Sequence, residues 1–207
     1  PIISYIFLGG KCSACKEKVS IIYPLFEIIT GILFLLSYLV YGFNINFFIA
    51  ITFISILIIV TISDIRYYII PDQVLIIGVI LIIIELLINC LINNINIVSG
   101  VLIPILNGLG SFAILYLFKI LGDIIFKKES LGGGDIKLLF LIGLTIGFDM
   151  SIVAIFIASF IALPLSIINL AKSNNNVLPF GPYLSIASII VLLAKLDLNM
   201  ILEFLTK

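Results

Sequence analysis

Acidic residues are the side chains of this sequence that are best suited to chemistry. Histidine is absent from the 207 residues, which excludes a Ser-His-Asp or Cys-His pair, an HExxH zinc site and a histidine-held haem within them. Acid–base work would therefore come from carboxylates, lysine or tyrosine. Two clusters stand out: Asp64 and Asp72 enclose one short segment, and Asp135 follows three successive glycines, residues 132–134.

Two carboxylates at one membrane depth suit an aspartic-protease mechanism. Like charges a few ångströms apart cannot both ionise, so one of the two carboxyls keeps its proton. The ionised carboxylate can activate water while the protonated carboxyl polarises the scissile carbonyl, and the pair titrates as a unit. This chemistry requires the fold to bring Asp64 and Asp135 to the same face.

Each cluster also has a simpler structural explanation. Pro71 favours the first turn of a helix, and Asp72 would then lie at the positive end of the helix dipole. The glycines and Asp135 could form a flexible loop that ends in an aspartate N-cap. The catalytic explanation is favoured for Asp135 because Asp64 is predicted at the same membrane depth and on the same side of the membrane.

The elements that must position these residues are membrane helices. The chain is 63% hydrophobic and 11% charged, whereas a soluble domain is about 45–50% apolar and about 25% charged. A membrane helix needs roughly 20 apolar residues, and the backbone in lipid must satisfy its own hydrogen bonds. We therefore predict an all-α, polytopic transmembrane helix bundle with about seven spans, the fifth of them short: 21–41, 47–63, 73–92, 97–121, 136–148, 150–171 and 178–195.

Basic residues orient this bundle. Lysine and arginine precede the first span, follow the second, lie between the fourth and fifth, and end the sixth, but are absent from the alternate loops up to the sixth span. By the positive-inside rule the basic loops are cytoplasmic, which places Asp64, Asp72 and Asp135 at the cytoplasmic face. Eleven acidic residues balance eleven basic ones, so there is no electrostatic case for nucleic acid.

The ordered motifs resemble those of the GxGD membrane aspartyl proteases, and more closely those of the bacterial prepilin peptidases, or type IV leader peptidases. The resemblance extends from residue 1 to about residue 184. Its pieces are, in order, Pro1-Ile-Ile-Ser-Tyr5, Lys11-Cys-Ser-Ala-Cys15, Tyr23-Pro-Leu-Phe-Glu27, Asp64 to Asp72, Gly132 to Lys137, and Pro179-Phe-Gly-Pro182. GxGD alone is weak, but ordered motifs in compatible topological places are specific.

The resemblance implies roles for these residues. Asp64 and Asp135 would be the catalytic pair, with supporting positions at Asp72, Gly132, Gly134 and Lys137. The reaction would remove the basic leader of type IV prepilins or pseudopilins after a glycine, at the cytoplasmic face of the bacterial inner membrane. The partners would be these precursors and the lipid bilayer. Proteolysis would need no cofactor, and N-methylation of the new N-terminus with S-adenosylmethionine is implied for the full-length protein.

Cys12 and Cys15 form a CxxC segment. Family members often carry an earlier CxxC, so by resemblance the two cysteines would be half of a four-thiolate zinc site. The alternative is a reduced CxxC pair without metal. The chain opens at Pro1 without methionine, and we expect its natural N-terminal segment to be missing. We divide the chain into 1–20, the end of a cytoplasmic CxxC segment, and 21–207, a transmembrane peptidase domain.

Two other classes of protein compete with the peptidase. A small proton- or ion-coupled transporter would use the same acids as a relay, with acids toward the bilayer centre and pseudo-symmetric halves. The sequence instead concentrates its acids at one face and has no evident duplication. A non-catalytic assembly scaffold would tolerate Asp135→Asn and still bind pilin precursors.

Overall fold

The computed structural model describes residues 2–127, 131–172 and 179–196. In these residues the protein is helical, and Lys11 and Lys18 form an isolated antiparallel bridge. A π-helical segment, Val98–Leu102, leads directly into the fifth α-helix. The α-helices are α1 Ile2–Phe7, α2 Ile22–Tyr41, α3 Ile45–Tyr67, α4 Asp72–Asn93, α5 Ile103–Phe126, α6 Gly133–Ile146, α7 Phe148–Lys172 and α8 Gly181–Leu193. The predicted all-α bundle is confirmed, with one helix for each predicted span.

Four of the described helical segments are long and apolar enough to cross a membrane. They are α2, α3, α4 and the continuous segment Val98–Ile125. The apolar segments Phe148–Pro164 of α7 and Gly181–Leu193 of α8 are shorter, and α6 has only 14 residues. At about 1.5 Å per residue, α6 is shorter than the roughly 30 Å hydrocarbon layer. For α6, α7 and α8 the spanning role stays a prediction.

Helix α6 lies at the centre of the bundle. It packs against α4, α5, α7 and α8, and its buried side chains include Leu138, Leu139, Leu141 and Ile142. Because neighbouring helices rather than lipid surround it, a short helix can be held in place there. Helix α2 is the opposite case, since Pro24 and Ser37 are its buried residues, and it therefore lies at the periphery.

Small residues allow α6 to approach its neighbours closely. A Cβ atom on Gly108 of α5 would lie 2.8 Å from the carbonyl oxygen of Phe140, and one on Gly143 would overlap the hydroxyl of Ser111. Ser111 Oγ lies in turn 2.6 Å from Ser151 Oγ of α7. Helices α5, α6 and α7 are thus closely packed. This packing helps to position α6, whose first turn carries Asp135.

Candidate active site

Asp64 lies near the end of α3, and a main-chain N–H from α8 orients its carboxylate. Its residue surface is 6% exposed, and Oδ2 accepts a hydrogen bond from the Gly181 N–H at 3.1 Å. Helix α3 ends at Tyr67, and the C-cap residue Tyr68 is left-handed, with φ 54°, and donates its N–H to the Asp64 carbonyl. Ser63 Oγ donates to the Ile69 carbonyl at 2.8 Å and holds the following turn.

Asp135 lies in the first turn of α6. The helix begins at Gly133, so Gly132 is the N-cap and Asp135 is the third helical residue. The structural alternative, in which Asp135 is the N-cap, is therefore wrong. The Asp135 carboxylate instead accepts a hydrogen bond from the Gly132 N–H, as the third residue of a capping box does. Asp135 is 7% exposed, and its Oδ1 is buried and has no hydrogen-bond partner among the described residues.

Ile70 joins the two aspartate-bearing segments. A Cβ on Gly134 would lie 2.8 Å from Ile70 Cβ, and one on Gly181 would lie 3.2 Å from Ile70 Cδ1. The same atom on Gly181 would lie 2.6 Å from Asp64 Oδ2. The missing side chains thus let α6 and α8 close around Ile70, and this packing brings Asp64 and Asp135 into one buried site.

The charges of the two aspartates act on each other. Asp135 precedes the apolar stretch of α6 and is outside the four spanning segments. Burial first, and the negative charge of Asp64 second, raise the pKa of Asp135 to about 7, against the opposing effect of the Gly132 hydrogen bond. A carboxyl in this setting keeps its proton while its partner is ionised. The arrangement can therefore supply a base and an acid together.

Asp72 and Lys137 form an ion pair beside this site. Lys137 Nζ donates to Asp72 Oδ2 at 2.7 Å, and both side chains are about half exposed, at 51% and 55%. Pro71 is the N-cap of α4 and Asp72 lies in its first turn, so the predicted helix-terminal position of Asp72 is confirmed. The pair ties the start of α4 to the first turns of α6. Its supporting role stays a prediction.

Gly181 and Ile70 are site residues that the sequence reasoning does not identify as such. In the sequence Gly181 stands out only as part of the motif Pro179-Phe-Gly-Pro182, one of those that carry the family resemblance. The available signal is its place at the start of a helix, where main-chain N–H groups lack partners inside the helix. Ile70 carries no local signal, because apolar residues surround it throughout the sequence.

The CxxC segment supplies two thiols. Cys15 is exposed and Cys12 partly so, and main-chain hydrogen bonds from Cys15 and Ala14 lower the pKa of the Cys12 thiol. The described residues contain no cluster of three or more Cys, Asp or Glu side chains that could hold a metal ion. Structural zinc normally takes four ligands, so these two thiols do not form a complete site. The zinc and S-adenosylmethionine assignments stay predictions.

The fold and site define a polytopic helical membrane protein with two buried, interacting aspartates. The chain belongs to the type IV leader peptidase family, a family of peptidases, whose model matches residues 51–167. The model described as bacterial Peptidase A24 N-terminal domain matches residues 1–41. The predicted family and enzyme class are confirmed.

Similar proteins are named prepilin leader peptidase/N-methyltransferase. The Bacillus subtilis protein is 30% identical over 196 residues, which cover 93% of this chain and 74% of the relative. The Neisseria gonorrhoeae protein is 31% identical, with 94% and 65% covered, and the Pseudomonas putida protein is 28% identical, with 93% and 66% covered. This chain thus spans about two thirds of the length of the latter two. No solved structure matches it significantly.

Proposed function

We propose that this protein is a membrane-embedded aspartic endopeptidase that removes the leader of type IV prepilins or pseudopilins. The observation that carries the proposal is Asp135 Oδ1, which is buried and has no partner among the described residues, in a site where the charge of Asp64 acts on Asp135. A buried polar atom without a partner costs about 1–3 kcal/mol. A water molecule held between the carboxyls would satisfy it, and that water is the nucleophile of the reaction.

The proposed mechanism uses the pair as one acid–base unit. The ionised carboxylate takes a proton from the water as its oxygen attacks the scissile carbonyl carbon, and the protonated carboxyl gives its proton to the carbonyl oxygen. The gem-diol intermediate then collapses: the ionised carboxylate takes a proton from one of its hydroxyls as the C=O bond re-forms and the C–N bond breaks, and the protonated carboxyl gives its proton to the leaving amine nitrogen, which restores the pair. The Gly181 N–H fixes Asp64 during these steps. The two roles are not divided between Asp64 and Asp135, because coupled carboxyls titrate together.

The names of the relatives support prepilins as the substrates. The proposed cut falls after a glycine, just before an apolar helix, so the substrate helix can remain in the bilayer while its basic leader lies in the cytoplasm. The distribution of lysine and arginine supports a cytoplasmic site in a bacterial inner membrane.

N-methylation and zinc binding also belong to the proposal. The relatives' names include N-methyltransferase, which supports methylation of the new N-terminus with S-adenosylmethionine as donor. We also propose that Cys12 and Cys15 supply two of the four ligands that structural zinc takes.

A transporter that uses an acid relay has less support. Glu85 lies within α4 and accepts a hydrogen bond from Thr52 Oγ1 at 2.6 Å. Glu85 is roughly 20 Å along the helix from Asp72, at about 1.5 Å per residue. This distance is too long for the two acids to pass a proton to each other directly, as a relay requires. Family membership favours the peptidase.

Cleavage of a purified prepilin tests the proposed function. The wild-type protein in detergent should release one leader peptide, and mass spectrometry should place the cut after a glycine. Asp64→Asn should lose at least about 100-fold in rate, because acid–base catalysis contributes on that order or more. No cleavage of any prepilin or pseudopilin by the wild-type protein, or full activity in Asp64→Asn, would overturn the proposal.

A further inference from the structure

Ser185 of α8 carries a buried hydroxyl without a partner. The residue is 1% exposed, and its Oγ makes no hydrogen bond with any described residue. Neighbouring helical hydroxyls behave differently: Ser188 Oγ donates to the Leu184 carbonyl at 2.7 Å, and Thr61 Oγ1 to the Leu57 carbonyl at 2.7 Å. Because buried hydroxyls are normally paired, the unpaired Ser185 Oγ indicates a partner that comes from outside the described residues.

Ser185 lines a groove of about 500 Å³ between α2, α3 and α8. The walls are mainly apolar, and residues from each helix contribute: Phe26, Leu33, Ile58, Ile65, Ile186 and Ile190. Pro182 also lines the groove, and it directly follows Gly181, whose N–H holds Asp64. Ser185 lies one helical turn after Gly181, on the same face of α8. The groove therefore runs along α8 from the residue that follows Gly181, whose N–H holds Asp64.

Contacts at both ends of α2 keep this groove formed. Toward the start of the helix, Arg66 of α3 donates to Tyr23 Oη at 3.2 Å. At the other end, Tyr41 Oη donates to the Leu192 carbonyl at 2.8 Å, and Lys195 donates to the Val40 carbonyl at 2.8 Å. Helix α2 is thus the outer wall of a preformed groove, as ligand sites usually are.

The lining defines the chemistry of the occupant. None of the described residues that line the groove is charged, which fits an apolar segment. A hydrocarbon chain would fill the walls but leave Ser185 Oγ unpaired, whereas a peptide brings carbonyl groups as well as apolar side chains. A peptide segment therefore satisfies both the walls and the hydroxyl.

We propose that the groove binds the apolar segment of the substrate on the carboxyl side of the scissile bond, and that the Ser185 hydroxyl donates a hydrogen bond to a main-chain carbonyl of that segment. Ser185 is then a specificity-determining residue of the peptidase. The inference rests on the proposed function. Beyond that function, the inference specifies the position of the substrate: its apolar segment lies between α2 and α8 rather than at the opposite side of α6.

Kinetics of three variants test the role of the hydroxyl. Ser185→Ala should raise the KM for the prepilin roughly 3- to 10-fold, the loss of one hydrogen bond, with kcat retained because the interaction is made equally before and during reaction. Ser185→Cys, with a weaker donor, should give an intermediate KM. Ser188→Ala is the matched control and should keep the wild-type KM. A KM in Ser185→Ala equal to that of Ser188→Ala would overturn the inference.

Photo-cross-linking tests the groove itself. A benzophenone side chain in place of Ile190, in protein also carrying Asp64→Asn, should form an adduct with the prepilin's apolar segment. The same probe at Leu163, which is 53% exposed on α7, is the control and should not. Adducts with lipid alone, or prepilin adducts at both positions, would overturn the inference. If the wild-type protein cleaves the prepilin, the proposed function holds whichever cross-linking result is obtained. If the wild-type protein does not cleave it, the proposed function fails as well.

Discussion

At the scale of single residues, Gly133 and Gly134 are sequence neighbours with different packing. A Cβ on Gly134 would lie 2.8 Å from Ile70 Cβ, while one on Gly133 would meet nothing within 4 Å. Gly132 is intermediate, since a Cβ there would lie 3.1 Å from Asp135 Oδ2. The pattern Gly-x-Gly-Asp thus has a physical cause in this protein: two glycines make room for Ile70 and the Asp135 carboxylate, and the residue between them faces open space.

The first residue-scale prediction compares these neighbours. Gly134→Ala should reduce prepilin cleavage on the order of 100-fold, since displacing Ile70 shifts the aspartates and misplacement by about 1 Å has that effect. Gly133→Ala is the matched control and should retain most of the activity. Initial rates of prepilin cleavage by both purified variants measure the difference. Equal rates would show that the contact of Gly134 with Ile70 does not matter for activity.

The second residue-scale prediction concerns pH. The pKa of Asp135 is raised to about 7, so as the pH rises through that value the pair loses the proton that the scissile carbonyl needs. Activity should therefore fall above about pH 7, and it should also fall in acid, where both carboxyls are protonated and no base remains. A kcat/KM profile measures this, with exposed Asp149→Asn as a control that keeps the same profile. Activity that keeps rising above pH 7 would contradict the shared proton.

At the scale of helices, the ion pair of Asp72 and Lys137 connects the starts of α4 and α6. Both side chains are about half exposed, so the pair contributes at most about 1 kcal/mol to stability where water reaches it. Its greater effect is on geometry, because Pro71, the N-cap of α4, follows Ile70 directly and the first turn of α6 carries Asp135.

The helix-scale prediction follows from this difference. Asp72→Asn and Lys137→Gln should each lower cleavage several-fold while the thermal unfolding midpoint in detergent changes little. The double variant should be no worse than the more impaired single variant, because each change removes the same interaction. Additive losses of activity would show that the two residues act independently.

At the scale of the whole molecule, the apolar pattern predicts α2–α8, because each continuous apolar run is longer than an ordinary connecting loop. The start of α6 is misplaced by that reasoning, at 136 rather than at Gly133, because glycine has low intrinsic helix propensity and tertiary packing overrides it. The meeting of Asp64 with Gly181 joins residues 117 apart in sequence, and no local pattern encodes such a contact. The aspartates can thus be identified from sequence as candidates, but the atoms that orient them cannot.

The whole-molecule prediction concerns orientation. In a protein whose cysteines are replaced by serine, Asn94→Cys should react with a membrane-impermeant maleimide in cells whose outer membrane alone is opened. Lys127→Cys should react only after the inner membrane is permeabilised, because basic loops are cytoplasmic. Both positions are exposed in the structure. The reverse labelling pattern would place the aspartates on the outer face.

The central claim is that Asp64 and Asp135 act together as the catalytic pair, and the kcat/KM of Asp135→Asn for a prepilin tests it most directly. The substitution keeps the size of the side chain but removes the titratable proton and the charge. We predict a loss of at least about 100-fold, with the normal amount of folded protein, while Asp149→Asn stays near wild type. An Asp135→Asn protein that cleaves the prepilin at the wild-type rate would contradict the account.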